Sequence, residues 1–230
     1  MIVPFEYSVV RVPERKTAQL VVTPANDVIL TVAKRTPPAI ISEILRKKTP
    51  WVLGKLHKNS QVKGTGKKEF VNGEAFPYLG RNYRLKIGKA KAEPSVHLVS
   101  GRIEVALKGS KVSKRTVRSA LQAWYVERAQ EKIRDRLAVY EKRIAVTPSA
   151  VHIRNLKSRW GSCTARRQIS YNWRIILAPI SIVDYVIVHE LCHLIHHDHS
   201  KDFWRAIERI LPDYEERKEW LRVNGSLLAF

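Results

Sequence analysis

The apolar positions of this chain follow two periods, and the change from one to the other falls near Ser113. Before it, short runs of β-branched and aromatic residues dominate. Tyr7–Val12, Gln19–Thr23 and Val28–Val32 predict three strands, with the turn-forming stretch PAND (Pro24–Asp27) between the second and third. In NYRLKI, Tyr83, Leu85 and Ile87 alternate with Arg84 and Lys86, which is the pattern of a half-buried strand with a basic outer face. VHLVSGRIEVAL reads as a hairpin about Ser100–Gly101. PPAIISEILRKKTP breaks the strand pattern and predicts a short helix, entered through Pro38 and stopped before Pro50.

After Ser113 the spacing widens. Val117, Leu121, Trp124, Ala129, Ile133, Leu137 and Tyr140 lie on one face of a long amphipathic helix whose other face is charged. Two strand candidates follow, Ala150–Arg159 and Gln168–Ile176, on either side of RWGSCTARR. Ser181, with Asp184 three residues on, has the form of a capping box and opens a helix through IVDYVIVHELCH. The pattern therefore predicts an α+β protein: a β-rich N-terminal domain over 1–110 and a helix-dominated domain over 111–230.

Charge sharpens that division. The 230 residues hold 42 Lys and Arg against 21 Asp and Glu, a net charge of +21. Residues 1–110 carry 20 basic and 8 acidic residues, 111–150 carry 10 and 4, and 151–230 carry 12 and 9. The excess is concentrated before the second domain; Lys55–Lys91 alone has ten Lys and Arg and only Glu69 and Glu74. Such a field favours encounter with polyanions, nucleic acid above all, so the N-terminal domain is the expected nucleic-acid or substrate-binding part. No apolar run approaches the ~18 residues of a membrane span. The opening MIVPFEYSVVRVPERK lacks the basic and apolar regions of a signal peptide. Two cysteines, Cys163 and Cys192, make no disulfide framework. A cytoplasmic protein is expected.

The chemistry lies in the balanced third. Five of eight histidines fall between His189 and His199, and His189-Glu190-Leu191-Cys192-His193 is an HExxH sequence. Histidines four apart on a helix sit one turn apart on one face, within reach of one ion. A catalytic Zn²⁺ takes three protein ligands and keeps one position for water, lowering the pKa of that water to about 7. Glu190 is placed to take the proton as general base. His196 sits ~4.5 Å further along the helix axis than His193, which suits one ion poorly. His199 reaches back only if the chain turns first, with Asp198 as the residue suited to a left-handed turn. Ser200 would cap the next helix, KDFWRAIERIL. His199 is thus the expected third ligand, with Glu208 as the fallback. His196 and His197 are expected beside the site or at the surface.

RWGSCTARRQISYNWRIILAP followed by DYVIVHELCHLIHHDHSKDFW resembles the YgjP-like metallopeptidase family, with fainter echoes in PWVLGKL, YLGRNYRLKI and ALQAWYVERAQEKI. The resemblance implies a zincin-like core of a long helix, a small sheet, the HExxH helix and a following helix. It also implies a distant relation to SprT-like proteases that act on DNA-associated proteins. By motif position it implies His189, His193 and His199 as zinc ligands and Glu190 as the base. Metzincins carry glycine three residues past the second histidine; His196 stands there, so that label does not apply.

Around the site, Arg154–Arg159 or Gln168–Trp173 is the expected edge strand for pairing with a substrate backbone. Arg159, Ser162 and Asn172 are candidate contacts to substrate or to a developing oxyanion. Trp160, Trp173, Phe203 and Trp204 are expected in the core, as is the Cys192 thiol. Cys163 is a candidate inhibitory thiol, whose thiolate could reach the open metal position and silence the enzyme. The first functional reading is a zinc-dependent metallopeptidase acting on nucleic-acid-associated proteins. A second keeps the metal and cleaves phosphoanhydrides or phosphodiesters; a third is a nucleic-acid-binding protein with structural zinc.

Overall fold

A computed structural model of the chain describes residues 3–15, 17–23, 26–61, 68–90, 93–108 and 112–228. Pro24 and Ala25 of the expected PAND turn, and residues 62–67 and 91 of the basic stretch, lie outside the described residues. The chain forms two compact units, Met1–Gly64 and Thr65–Phe230.

In the first unit, strands β1 (Ser8–Val12), β2 (Gln19–Val22) and β3 (Val28–Ala33) make a sheet of order β1-β3-β2. β3 lies parallel to β1 and antiparallel to β2. Leu30 and Val32 of β3 pack with Ile41 and Leu45 of helix α1 (Pro38–Gln61). This helix does not stop before Pro50. It runs through it, because Val52 lies on the face already marked by Ile41 and Leu45 and is fully buried. Burying that side chain opposes the cost of the proline, whose ring removes one N–H from the ladder.

The second unit begins with a four-stranded sheet of order β4-β5-β7-β6: β4 (Ala75–Tyr78), β5 (Arg81–Lys89), β6 (Ser95–Val99) and β7 (Arg102–Leu107). Tyr83, Leu85 and Ile87 face inward on β5 as their alternation predicts, and Ser100 and Gly101 form the β6–β7 turn with positive φ. The unit boundary at Gly64/Thr65 differs from the expected division at 110/111. The reason is packing: Phe76, Leu85, Ile103 and Val105 share one core with Val117, Leu121 and Trp124 of helix α2 (Lys114–Ile144). Tyr125 Oη of α2 donates to Pro77 O of β4 at 2.8 Å. A sheet that buries its apolar face against the long helix belongs to that helix's domain.

α2 buries all seven residues of the predicted face. Strands β8 (Ala150–Arg154), β9 (Gly161–Cys163) and β10 (Gln168–Asn172) follow, in the order β8-β10-β9. The expected strand Gln168–Ile176 ends at Asn172. There the Asn172 side chain accepts from Arg174 N at 3.2 Å, and a 3-10 turn, Trp173–Leu177, begins. Helices α3 (Ile180–Cys192), α4 (Lys201–Ile210) and α5 (Tyr214–Asn224) complete the chain. The β4–β5 turn anchors α3: Leu79 N donates to Ile176 O at 2.9 Å, and Gly80 lies so close that a Cβ would meet Pro179 Cα at 2.9 Å. The α+β expectation is thus met by small sheets and, among the described residues, five α-helices. No helix among them is long and apolar enough to cross a membrane.

Candidate active site

α3 is apolar on every side, with Ile182 to Val188 buried without a break, so it runs through the middle of the core rather than along its surface. Its start is not a capping box: Pro179 holds the N-cap position, and no side chain caps it. Asp184 is instead taken by Arg136 of α2, with Nε to Oδ1 at 2.6 Å and Nη2 to Oδ2 at 2.7 Å. The helix delivers His189, Glu190 and His193 at its carboxyl end, where the apolar sequence stops. His193 is the C-cap, and the chain turns at once. The expected left-handed conformation at Asp198 is not formed, since Asp198 has no positive φ; the chain turns over residues 193–195 and bends again at His197 and Asp198. Asp198 accepts from Ser200 N at 3.2 Å, and Ser200 caps α4 by accepting from Phe203 N at 3.5 Å. That short segment carries His199 back toward the helix.

His189, His193 and His199 converge, their ligand atoms all within 4.8 Å of one another. His189 Nε2 and His199 Nε2 face each other at 3.2 Å. His193 Nδ1–H donates to His196 O at 3.0 Å, which fixes its tautomer and leaves Nε2 with a free lone pair. Burial, with His193 and His199 nearby, pushes the His189 pKa down to about 3, and burial lowers that of His193 as well. Metal ligation needs neutral imidazole, so these environments favour the ligating form. His189 Nδ1 is buried and has no hydrogen-bond partner among the described residues. Three neutral imidazoles with no carboxylate among them fit one borderline transition ion. Phe203 stacks on His193 (centroids 4.5 Å, 25° between planes), and Trp204 stacks on His199 (5.6 Å, 23°). Lys218 Nζ covers Trp204 at 3.8 Å. Phe203 is core as expected, while Trp204 is partly buried against it; neither role as a support for histidine rings was foreseen.

Glu190 is 5% exposed, and no hydrogen-bond partner for it exists among the described residues. Burial raises its pKa to about 8, with Arg159 pulling the other way. It is held against strand β9 through Gly161, where a Cβ would fall 2.5 Å from Glu190 Oε1 and 2.7 Å from its Cδ. The missing side chain lets the carboxylate approach the strand this closely. The histidines, Glu190, Gly161, Arg159, Ser162 and Cys163 line one cleft of about 560 Å³.

β9 is the strand beside the helix, and the sequence pattern missed it as a strand. It pairs antiparallel with β10 in the register Tyr171↔Gly161, Ser170↔Ser162 and Ile169↔Cys163. Asn172 N donates to Trp160 O, and Thr164 N to Gln168 O, so positions 160, 162 and 164 spend their backbone groups on β10. By alternation, the N–H and C=O groups of Gly161 and Cys163 point to the free edge. Gln168–Asn172 is paired on both sides and offers no edge, and the β8 strand ends at Arg154.

Of the other candidates, Asn172 is buried, and its amide donates to Leu156 O at 2.8 Å and Arg159 O at 3.1 Å. Its side chain holds the loop before β9 rather than lining the histidine cleft. Cys163 Sγ donates to Thr164 O at 3.6 Å, and burial and Glu190 push its pKa up, away from the thiolate. It lines the cleft without joining the three converging histidines. His197 also lines the cleft; Glu208 is exposed and outside the cluster. Cys192 is buried, with its thiol pushed up to about 12.

The model of the YgjP-like metallopeptidase domain matches residues 16–224. The chain belongs to the YgjP-like metallopeptidase family. A metallopeptidase and a metal-binding hydrolase are thereby established as its class, and the three histidines are a group able to hold the ion. Among solved structures, the crystal structure of the metallopeptidase zymogen of Pyrococcus abyssi abylysin is similar over 41% of this chain and 94% of that one. The two are 24% identical, with a TM-score of 0.37. No curated protein matches the chain.

Proposed function

We propose that the protein is a zinc-dependent peptidase in which His189, His193 and His199 hold Zn²⁺ and Glu190 is the general base. The observation that carries this reading is the pairing of three converging imidazoles with the largely buried Glu190 carboxylate, one residue from the first of them and lining the same cleft. When bound, Zn²⁺ supplies Lewis-acid polarisation of the scissile carbonyl and of the attacking water, and a positive charge that favours ionised Glu190. Glu190 takes the proton of the attacking water and later passes it to the leaving amine. The free edge of β9 aligns the substrate backbone through Gly161 and Cys163. Arg159, on the cleft wall, is placed to contact the substrate, and Ser162 lines the same wall.

The test is metal content and hydrolysis of casein and of mapped peptides, on wild type and Glu190→Gln. Zinc in both and cleavage only by wild type is the expected result. Chelation abolishes cleavage and lowers the melting temperature, and added zinc restores both. Hydrolysis of a nucleoside triphosphate with no cleavage of any peptide overturns the reading.

The net charge of +21 supports a second contact, with nucleic acid. Binding of an oligonucleotide should weaken steeply with salt, as counterion release requires. The absence of binding at low salt removes this part alone. A cytoplasmic location fits the reading and is tested by fractionation.

A further inference from the structure

A second cleft, of about 650 Å³, shares Arg159 with the histidine cleft. It is formed by the loop Asn155–Trp160 between β8 and β9, by Arg174 of the 3-10 turn, and by the end of α5 with the turn after it. Lys157, Arg159, Arg174 and Arg222 line it, and no Asp or Glu does. Arg222 is paired with Glu219. Lys157 and Arg174 form no ion pair among the described residues, and Arg159 feels only the Glu190 carboxylate, with no ion pair between them. Arg174 packs over the Trp173 ring at 4.7 Å, and its Nη1 donates to Asn155 Oδ1. Burial and the neighbouring Arg118 disfavour its charge, and an anion in the cleft would relieve both.

The cations stand on a fixed frame. Asn172 ties the loop down through Leu156 O and Arg159 O, as described above. Between the cations the lining is mixed: Leu156, Leu221 and Leu228 stand with Trp160, whose ring lies against Gly225, and Asn155, Ser158 and Ser226 add uncharged polar groups. Cations beside leucines and uncharged polar groups suit extended peptide with acidic side chains, since methylenes meet the leucines, backbone meets the polar groups and carboxylates meet the cations.

We propose that this cleft recognises Asp or Glu side chains of the polypeptide substrate, on the carboxyl side of the bond to be cut; this rests on the peptidase reading above. The direction follows from β9. A substrate strand antiparallel to β9, the more stable pairing, passes Cys163 first and Gly161 next. Gly161 is the residue against Glu190. Beyond it the substrate meets Trp160 and Arg159 and enters the second cleft.

The test separates binding from cleavage. Zinc-loaded Glu190→Gln protein is titrated with a labelled peptide bearing a run of Glu, and with the same peptide bearing Gln. At low salt the acidic peptide should bind about tenfold tighter, a preference that fades as salt rises. Lys157→Glu, and separately Arg174→Gln, should bring the ratio close to one; Lys157 is exposed on the loop, so its variant keeps the test valid if Arg174→Gln misfolds. Wild type should cleave peptides with Glu after the cut site faster than those with Glu before it. Equal affinities, a ratio that survives both substitutions, or a preference for Glu before the cut each overturn the proposal. So does an oligonucleotide that loses affinity with the same substitutions and is not displaced by the acidic peptide. If wild type cleaves no peptide at all, the peptidase reading fails, whatever the binding titration shows.

Discussion

Helix α3 carries two buried carboxylates, Asp184 near its start and Glu190 near its end, 6% and 5% exposed. Their burial is the same, but their company is not. Asp184 receives both donor arms of Arg136, whose Nη2 also donates to Tyr140 Oη at 3.3 Å. That carboxylate is saturated, and the pair locks α2 to α3. Glu190 has no comparable donor and leans on a glycine. A buried carboxylate without a donor costs stability, and the role of base proposed for Glu190 would explain why that cost is kept.

The largest consequence is catalytic. Glu190→Gln keeps the shape and removes the proposed base, so under the peptidase reading peptide hydrolysis should fall ~10²–10⁴-fold with metal content unchanged. The same substitution at the other end, Asp184→Asn, should leave the chemistry near wild type in whatever protein folds. A similar loss of turnover from both variants would mean that the two carboxylates do not differ in the way described.

The next effect is on stability and has a defined pH window. In the metal-free protein the folded pKa of Glu190, about 8, lies above its unfolded value of 4.5. The folded state therefore binds the extra proton between these values, and stability is lost as pH rises through them. Glu190→Gln has no such proton to lose. Its metal-free form should gain on wild type from pH 4.5 to 8 and hold a constant lead above that, of the order of 2–4 kcal/mol. His189 titrates in both proteins and drops out of the difference. A lead that does not grow with pH, measured by denaturant unfolding after chelation, would show that Glu190 is not strained by burial.

Asp184→Asn reads the opposite end. It leaves the Arg136 guanidinium without its counter-charge, and Arg136 is about a third exposed, so water softens the loss. About 2–3 kcal/mol of destabilisation is expected, visible as a lower denaturant midpoint with the zinc site intact in the folded fraction. A neutral result would make the pair incidental to the packing of α2 on α3.

What could be read in the sequence divides along the same line. Features set by local period were legible: every residue of the α2 stripe from Val117 to Tyr140 is buried, and HExxH placed two imidazoles one turn apart. The bend that returns His199 includes Asp198, as the sequence suggests, but without the left-handed conformation expected there. Contacts between distant segments were not legible. Arg136 and Asp184 lie 48 residues apart, and nothing in either neighbourhood names the other. Asp184 was read as part of a cap because a local rule was the only one available. The division at 110/111 failed to anticipate the second unit for the same reason: alternation shows that a strand has an apolar face, not which helix covers it. Pro50 was read as a stop because the burial of Val52 beyond it could not be seen.

Gly161 gives the smallest expected effect and the finest test of the comparison. The glycine in RWGSC lies in strand β9 with the carboxylate of Glu190 close against it. In Gly161→Ala the new methyl group would lie within 2.7 Å of Glu190 Oε1, Cγ and Cδ. A strand position with ordinary φ accepts alanine, and the obstructing atoms belong to a side chain that can swing, so global stability should change little. The carboxylate, however, must move toward the histidines or away from them. A displaced base costs proton transfer without costing metal, and a loss of about tenfold in kcat/KM is expected, with zinc affinity and melting temperature close to wild type. Asp184 offers the control, because no glycine fixes its position. A Gly161→Ala protein with full activity would mean that Glu190 has room to act from more than one position, and that the bare backbone beside it serves the substrate strand alone.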